Sequence, residues 1–165
     1  MLTQDRLREL FHYDPLTGVL TRRVSVSSNA QAGDITGTVD GKGYLQVMID
    51  RKNYRVHRLA WLYVHGIFPD NSIDHINGDT SDNRIINLRD VLQSENGKNQ
   101  TMPKTNKSGI MGVRWYRQRG KWHAQICVNR KRIHLGYYED LELAALVRQE
   151  AELKYGFHLN HGRAA

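Results

Sequence analysis

The chain has 165 residues, room for one medium domain or two small ones. Lys and Arg number 24 against 17 Asp and Glu, a formal charge of +7 that favours a polyanionic partner, nucleic acid before an acidic membrane surface. The single cysteine, Cys127, excludes an internal disulfide and a Cys-based zinc site, and neither a membrane-length apolar run nor a signal-peptide core is present, so the expected setting is intracellular with no membrane association.

Thr3 is placed to cap a short helix on which Leu7, Leu10 and Phe11 share a face. Asp14-Pro15-Leu16-Thr17-Gly18 reads as a turn and residues 19–24 as a strand. Residues 27–43 are rich in Ser, Gly, Asn and Thr and read as loop with short extended pieces. Residues 44–49 and 54–57, around a turn at Arg51-Lys52-Asn53, predict a hairpin. Residues 59–64 predict a buried helix ending at Gly66. Residues 73–76 and 87–89 predict two short strands, separated by a turn at Asn77-Gly78-Asp79. A helix is expected from an Asp90 cap to Asn99. Residues 97–108 lack acidic groups, contain a proline and read as the boundary between domains. Residues 112–116, 122–128 and 132–137 predict three strands, with turns at Arg119-Gly120 and Asn129-Arg130-Lys131. The spacing beyond them predicts a helix over 139–154, capped by Asp140 and stopped by Gly156.

The densest chemistry lies in IDHINGDTSDNRIINLRDVLQSENGKNQ. Asp74 and His75 are adjacent, Asn87 follows His75 by twelve positions, and Asn96 follows Asn87 by nine. A carboxylate can hold a hard cation through oxygen. An imidazole beside it can take a proton from water near neutral pH. Together they are suited to cutting a phosphodiester with one divalent ion.

This pattern resembles the HNH endonucleases, most of all the homing-endonuclease branch common in phage. The resemblance covers residues 1–100 and includes GYLQVMIDRKNYRVHRLAWLYVHG ahead of the motif and NRIINLRD within it. It implies a ββα-metal fold with His75 as general base, and Asn87 bracing the loop and orienting the His75 ring. It further implies that Asp74 and Asn96 hold one Mg²⁺ or Mn²⁺ per active site. Asn96 stands where a His is more familiar, a weaker and neutral ligand. His57, in RVHRLAW, precedes an apolar helix and reads as structural. A phage gene would set the protein in the host cytoplasm.

From Gly97 to Tyr138 there are ten Lys and Arg and no Asp or Glu, so this stretch alone carries more positive charge than the whole chain. Alternation puts Arg114 and Tyr116 on one face of the first strand, and Arg132 and His134 on one face of the third. A sheet with one polar, basic face can lie in a major groove. The motifs GVRW, GKWHAQI and HLGYY, with the Ala-containing helix that follows, resemble the Apetala-two (ethylene-response-factor) DNA-binding domain over residues 108–157. The resemblance puts Arg114, Gln125, Arg132 and His134 on the DNA-reading face. Contact positions that hold Arg or Trp in the family are here Tyr116, Arg119, Cys127 and His134, so the base sequence read by plant members does not transfer. Arg117, Arg119, Lys121, Arg130 and Lys131 belong to turns and are expected to meet phosphates.

The expected class is α+β. An HNH ββα-metal nuclease domain spans 1–100, a linker 101–108, a three-stranded antiparallel sheet with one helix 109–157, and a tail 158–165. The expected function is a metal-dependent, site-specific endonuclease that nicks double-stranded DNA as a monomer. A DNA-binding regulator with an inactive nuclease fold is the alternative, and an RNA-binding protein a third reading.

Overall fold

The computed structural model describes residues 1–100, 102–159 and 161–163. Thr101 of the expected linker, and Asn160, Ala164 and Ala165 of the expected tail, lie outside the described residues. The class is α+β, with small antiparallel sheets. The chain folds as two compact units, Met1–Val91 and Leu92–Ala165, a division that falls ahead of the stretch read as a linker.

In the first unit, α1 (Gln4–Leu10) starts at Thr3, whose Oγ1 accepts from the Arg6 N–H at 3.2 Å. Phe11 does not extend this helix. It opens β1 (Phe11–Tyr13), which pairs with β2 (Leu20–Arg22) and turns Phe11 and Tyr13 inward around an exposed His12. A second sheet has the order β3 (Thr38–Val39), β4 (Leu45–Ile49), β5 (Lys52–Arg55). The turn between β4 and β5 is Asp50-Arg51, with φ of 47° and 63°, one residue ahead of the expected turn. Two left-handed residues make a type I′ turn, whose twist matches that of the strands it joins. Next, α2 (Val56–His65) ends at Gly66, whose φ of 80° lets its N–H reach the Leu62 carbonyl.

Leu7, Phe11, Tyr13, Leu20, Val56 and Leu59 are fully buried in one core that joins α1, the first hairpin and α2. Each large apolar side chain among them contributes roughly 1.5–3 kcal/mol. On this core sit β6 (Ser72–His75) and β7 (Leu88–Val91), an antiparallel pair anchored by Ile73 and Leu88. The helix expected to start at Asp90 does not start there. Asp90 lies in β7 opposite Ile73, and its carboxylate accepts from the Asp70 and Asn71 N–H groups at 3.0 Å each. Its capping ability serves the loop before β6 instead.

In the second unit, α3 (Gln93–Asn96) runs into a 3-10 turn at Gly97–Asn99. The sheet order is β10 (Lys131–Tyr138), β9 (Lys121–Val128), β8 (Val113–Tyr116), all antiparallel. A turn at Arg117–Arg119 and Gly120 joins β8 to β9, and Asn129-Arg130, with φ of 49° and 64°, joins β9 to β10. Asp140 caps α4 (Leu141–Lys154) by accepting from the Glu142 N–H at 2.7 Å. The core is small: Val113, Ala124 and Ala144, with Trp122, Leu135, Tyr138 and Leu141 packed around them. Segments read as linker and tail hydrogen-bond to one another. The His158 N–H reaches the Lys98 carbonyl, Gly162 reaches Gln100, and Met102 reaches Arg163.

Gly18 (φ 75°) lies against the loop that leads into β7. A Cβ there would stand 2.5 Å from the Arg84 nitrogen and 2.6 Å from the Asn83 carbonyl carbon. Gly18→Ala meets both left-handed strain and overlap with backbone, so a loss of about 2 kcal/mol or more is expected. Urea unfolding of the whole chain measures it, and an unchanged midpoint would remove Gly18 from the docking of this loop.

Candidate functional site

Strand β6 ends in Ile73-Asp74-His75, all buried. Period-two alternation would send Asp74 and His75 to opposite faces, and both remain sheltered because core and loop cover the two sides. Asp74 stands opposite Arg89 in register, and its Oδ2 accepts from Arg89 Nε at 2.8 Å and Nη2 at 2.6 Å. Such a charge-assisted double contact fixes a carboxylate's orientation. Arg89 is a residue that sequence reasoning missed, although its place opposite Asp74 follows once the two strands are paired.

Between β6 and β7 the chain makes a polar loop that Asn87 ties shut. Asn87 Oδ1 accepts from the Asn77 N–H at 3.0 Å, and its Nδ2 donates to the Asp82 carbonyl at 2.8 Å. Its own carbonyl accepts from the Ile76 N–H at 2.9 Å. The amide that meets the His75 ring is that of Asn83, with Oδ1 3.4 Å from Nε2. Asn83 is fully buried, and its carbonyl accepts from the Tyr13 hydroxyl at 2.7 Å. In sequence, Asn83 looked like turn chemistry within TSDNR, and nothing local set it apart from Asn77.

Burial pushes the His75 imidazole below its ordinary value, opposed by the Asn83 contact and by the charges of Asp74, Asp79 and Asp82. His57, in the first turn of α2, packs its ring at 86° to that of His75, with centroids 5.1 Å apart, and Tyr44 lies against both. His57 is 4% exposed, and its Nδ1 is buried without a hydrogen-bond partner. Burial first, then the charges of His75, Arg55 and Arg58, hold its pKa down to about 3, with Asp40 opposing. His57 is therefore a neutral core ring that helps to confine His75.

Asn96, at the end of α3, belongs to the second unit. Among the described residues, no cluster of three or more His, Cys, Asp or Glu side chains could hold a metal ion. What the first unit offers a cation is one oriented carboxylate, Asp74, beside a neutral imidazole. That fits a hard ion that takes one or two carboxylates and completes its shell with water and phosphate.

In the second unit, cross-strand partners share a face. Arg114 and Tyr137 both stand opposite His123, His134 opposite Gln125, and Arg132 opposite Cys127. A register shift between His134 and Gly136 lets His134 and Tyr137 meet, with ring centroids 4.8 Å apart. Arg114, Arg117, Arg119, Arg130, Lys131, Arg132 and His134 are exposed, and Gln125 is half-buried. Arg119 lies over the Tyr137 ring at 4.5 Å. The Tyr116 hydroxyl donates to Gln118 at 2.5 Å. Lys121 pairs with Glu139 at 3.2 Å, which ties down part of its charge. Sequence reasoning missed His123 and Tyr137 on this face.

A family model described as HNH endonuclease matches residues 54–98. The chain is 32% identical to Protein 3.8 of Escherichia phage T7 over 94 residues, which cover 56% of this chain and 78% of that protein. A solved structure describing DNA binding and cleavage by the HNH homing endonuclease I-HmuI superposes with a TM-score of 0.42 and 22% identity. The superposition covers 57% of this chain and 55% of that one, so the chain spans about half of that structure.

Folded His57 stays neutral to about pH 3, whereas the unfolded ring takes up a proton near its ordinary 6.5. Between those values the unfolded state holds the extra proton, so stability is full above 6.5 and falls as pH drops towards 3. From about pH 7 to about pH 5, ahead of the carboxylates, urea unfolding should lose stability, and His57→Phe should flatten that limb. An equally steep limb in the variant would clear His57 of the effect.

Proposed function

Because the chain belongs to the HNH endonuclease family, we propose that it is a metal-dependent, site-specific DNA endonuclease of the homing type that nicks duplex DNA as a monomer. The observation that carries this reading is the buried Asp74–His75 pair at the end of β6, beside a loop closed by Asn87. His75 takes a proton from the attacking water, work worth about 10²–10⁴ in rate. The Asn83 Oδ1, 3.4 Å from the His75 Nε2, helps to orient the imidazole for this work. Asp74, oriented by Arg89, is the carboxylate for Mg²⁺ or Mn²⁺. Bound there, the ion would stabilise charge on the phosphate and on the departing 3′ oxygen. Asn96 as second ligand rests on the resemblance alone.

The second unit is read as an Apetala-two-like module that lays its sheet in the major groove. Supporting this are the basic stretch from Gly97 to Tyr138 and the outward face with Arg114, Gln125, Arg132 and His134. Arg117, Arg119 and Arg130 on the turns, and Lys131 at the start of β10, then meet phosphates. Tyr116 and Lys121, each engaged within the fold, flank that face.

Supercoiled plasmid should be nicked with Mg²⁺ or Mn²⁺ and left intact with a chelator. His75→Ala should keep its DNA affinity and lose about 10²–10⁴ in nicking rate. Equal cleavage by the variant would reject His75 as the base. Binding without nicking by the unaltered protein would identify a DNA-binding regulator with an inactive nuclease fold. Replacing both Arg130 and Lys131 by Ala should lower the slope of log affinity against log salt by about 2. An unchanged slope would remove these two residues from the phosphate contacts.

A further inference from the structure

At the centre of the outward sheet face, His123 Nε2 stands 2.9 Å from His134 Nδ1, with the two rings nearly parallel. A hydrogen bond at this distance has one donor and one acceptor, so the two imidazoles cannot choose their hydrogens independently. His123 is 7% exposed, and its other nitrogen, Nδ1, is buried without a partner. If His134 were the donor, His123 would have to carry its hydrogen on that buried Nδ1, leaving an orphaned N–H. Orphaned buried N–H groups are rarer in proteins than under-satisfied acceptors. With His123 as donor, the buried Nδ1 is only a lone pair. Burial first, then the charges of His134 and the cross-strand Arg114, push the His123 imidazole below its ordinary value.

We infer that His123 is a positioning residue that locks the exposed His134 in its Nε2–H form, so that His134 offers the nucleic acid a hydrogen-bond donor and no acceptor. The inference rests on the reading that this face meets DNA. A donor-only contact takes acceptors: guanine O6 or N7, adenine N7, thymine O4, or a phosphate oxygen. It rejects the cytosine N4 amino group. His134 alone, a residue able to present either form, would not discriminate in this way.

Nitrogen-15 NMR of the unaltered full chain reads the tautomer directly, with no variant needed. Nε2–H on His134 is expected, and Nδ1–H overturns the inference. Selection from a pool of random duplexes then tests its use on the unaltered protein, His134→Ala and His123→Phe. Both variants should lose about fivefold in preference for an acceptor-bearing base at one position, the value of one net hydrogen bond, with the rest of the site kept. An equal loss over all sequences supports the inference with a phosphate oxygen as the acceptor. Loss in His134→Ala with full preference in His123→Phe overturns the positioning role and leaves the sheet reading intact. Unchanged preference together with unchanged affinity in both variants overturns the inference, because His134 then does not touch DNA.

Discussion

The hydrogen bonds that close the loop between β6 and β7 are the constraint on which the candidate site depends. Residues 76–87 supply little apolar surface, so burial alone would not order them. Their order comes from amides. Asn87 satisfies backbone groups at both sides of the loop, and Asn83 is held from above by Tyr13. A net hydrogen bond contributes only about 1 kcal/mol, but a buried group left unmade costs about 1–3 kcal/mol. The loop is therefore held more by the penalty of opening than by the gain of closing. His75 inherits its setting from this arrangement, with Asn83 at one edge of the ring and His57 and Tyr44 against it.

Much of the fold was legible because hydrophobic period and turn chemistry agreed. The β4–β5 hairpin, α2 with its Gly66 stop, and α4 with its Asp140 cap all appear where alternation, apolar density and capping put them. Strand β1 was not legible, since three residues cannot establish a period and Phe11 also suits a helix face. Asp90 misled for a related reason: the carboxylate that caps helices also gathers the N–H groups of a loop.

In the candidate site, adjacency in sequence told more than spacing. Asp74 and His75 stand together because they are neighbours on one strand end. Asn83 and His123 acquire meaning only from partners 70 and 11 positions away. Without the shift between His134 and Gly136, plain alternation would send Tyr137 to the face opposite His134. The basic character of the second unit was legible as a total. Its distribution was not, since Lys121 spends its charge on Glu139 and Arg119 lies on Tyr137.

The link from Tyr13 to Asn83 also bears on when the site comes into being. The two residues are 70 positions apart, and Gly18 and Pro15 meet the same loop from the same hairpin. Interactions of such long sequence separation form late, because loop closure must precede any reward from them. On the ribosome, the setting of His75 is completed only after β7 has emerged and folded back onto the first strands made. The stretch from Tyr54 to Lys98 thus contains Asp74 and His75 but not the scaffold that holds them, and a piece that keeps their setting must begin near the first helix.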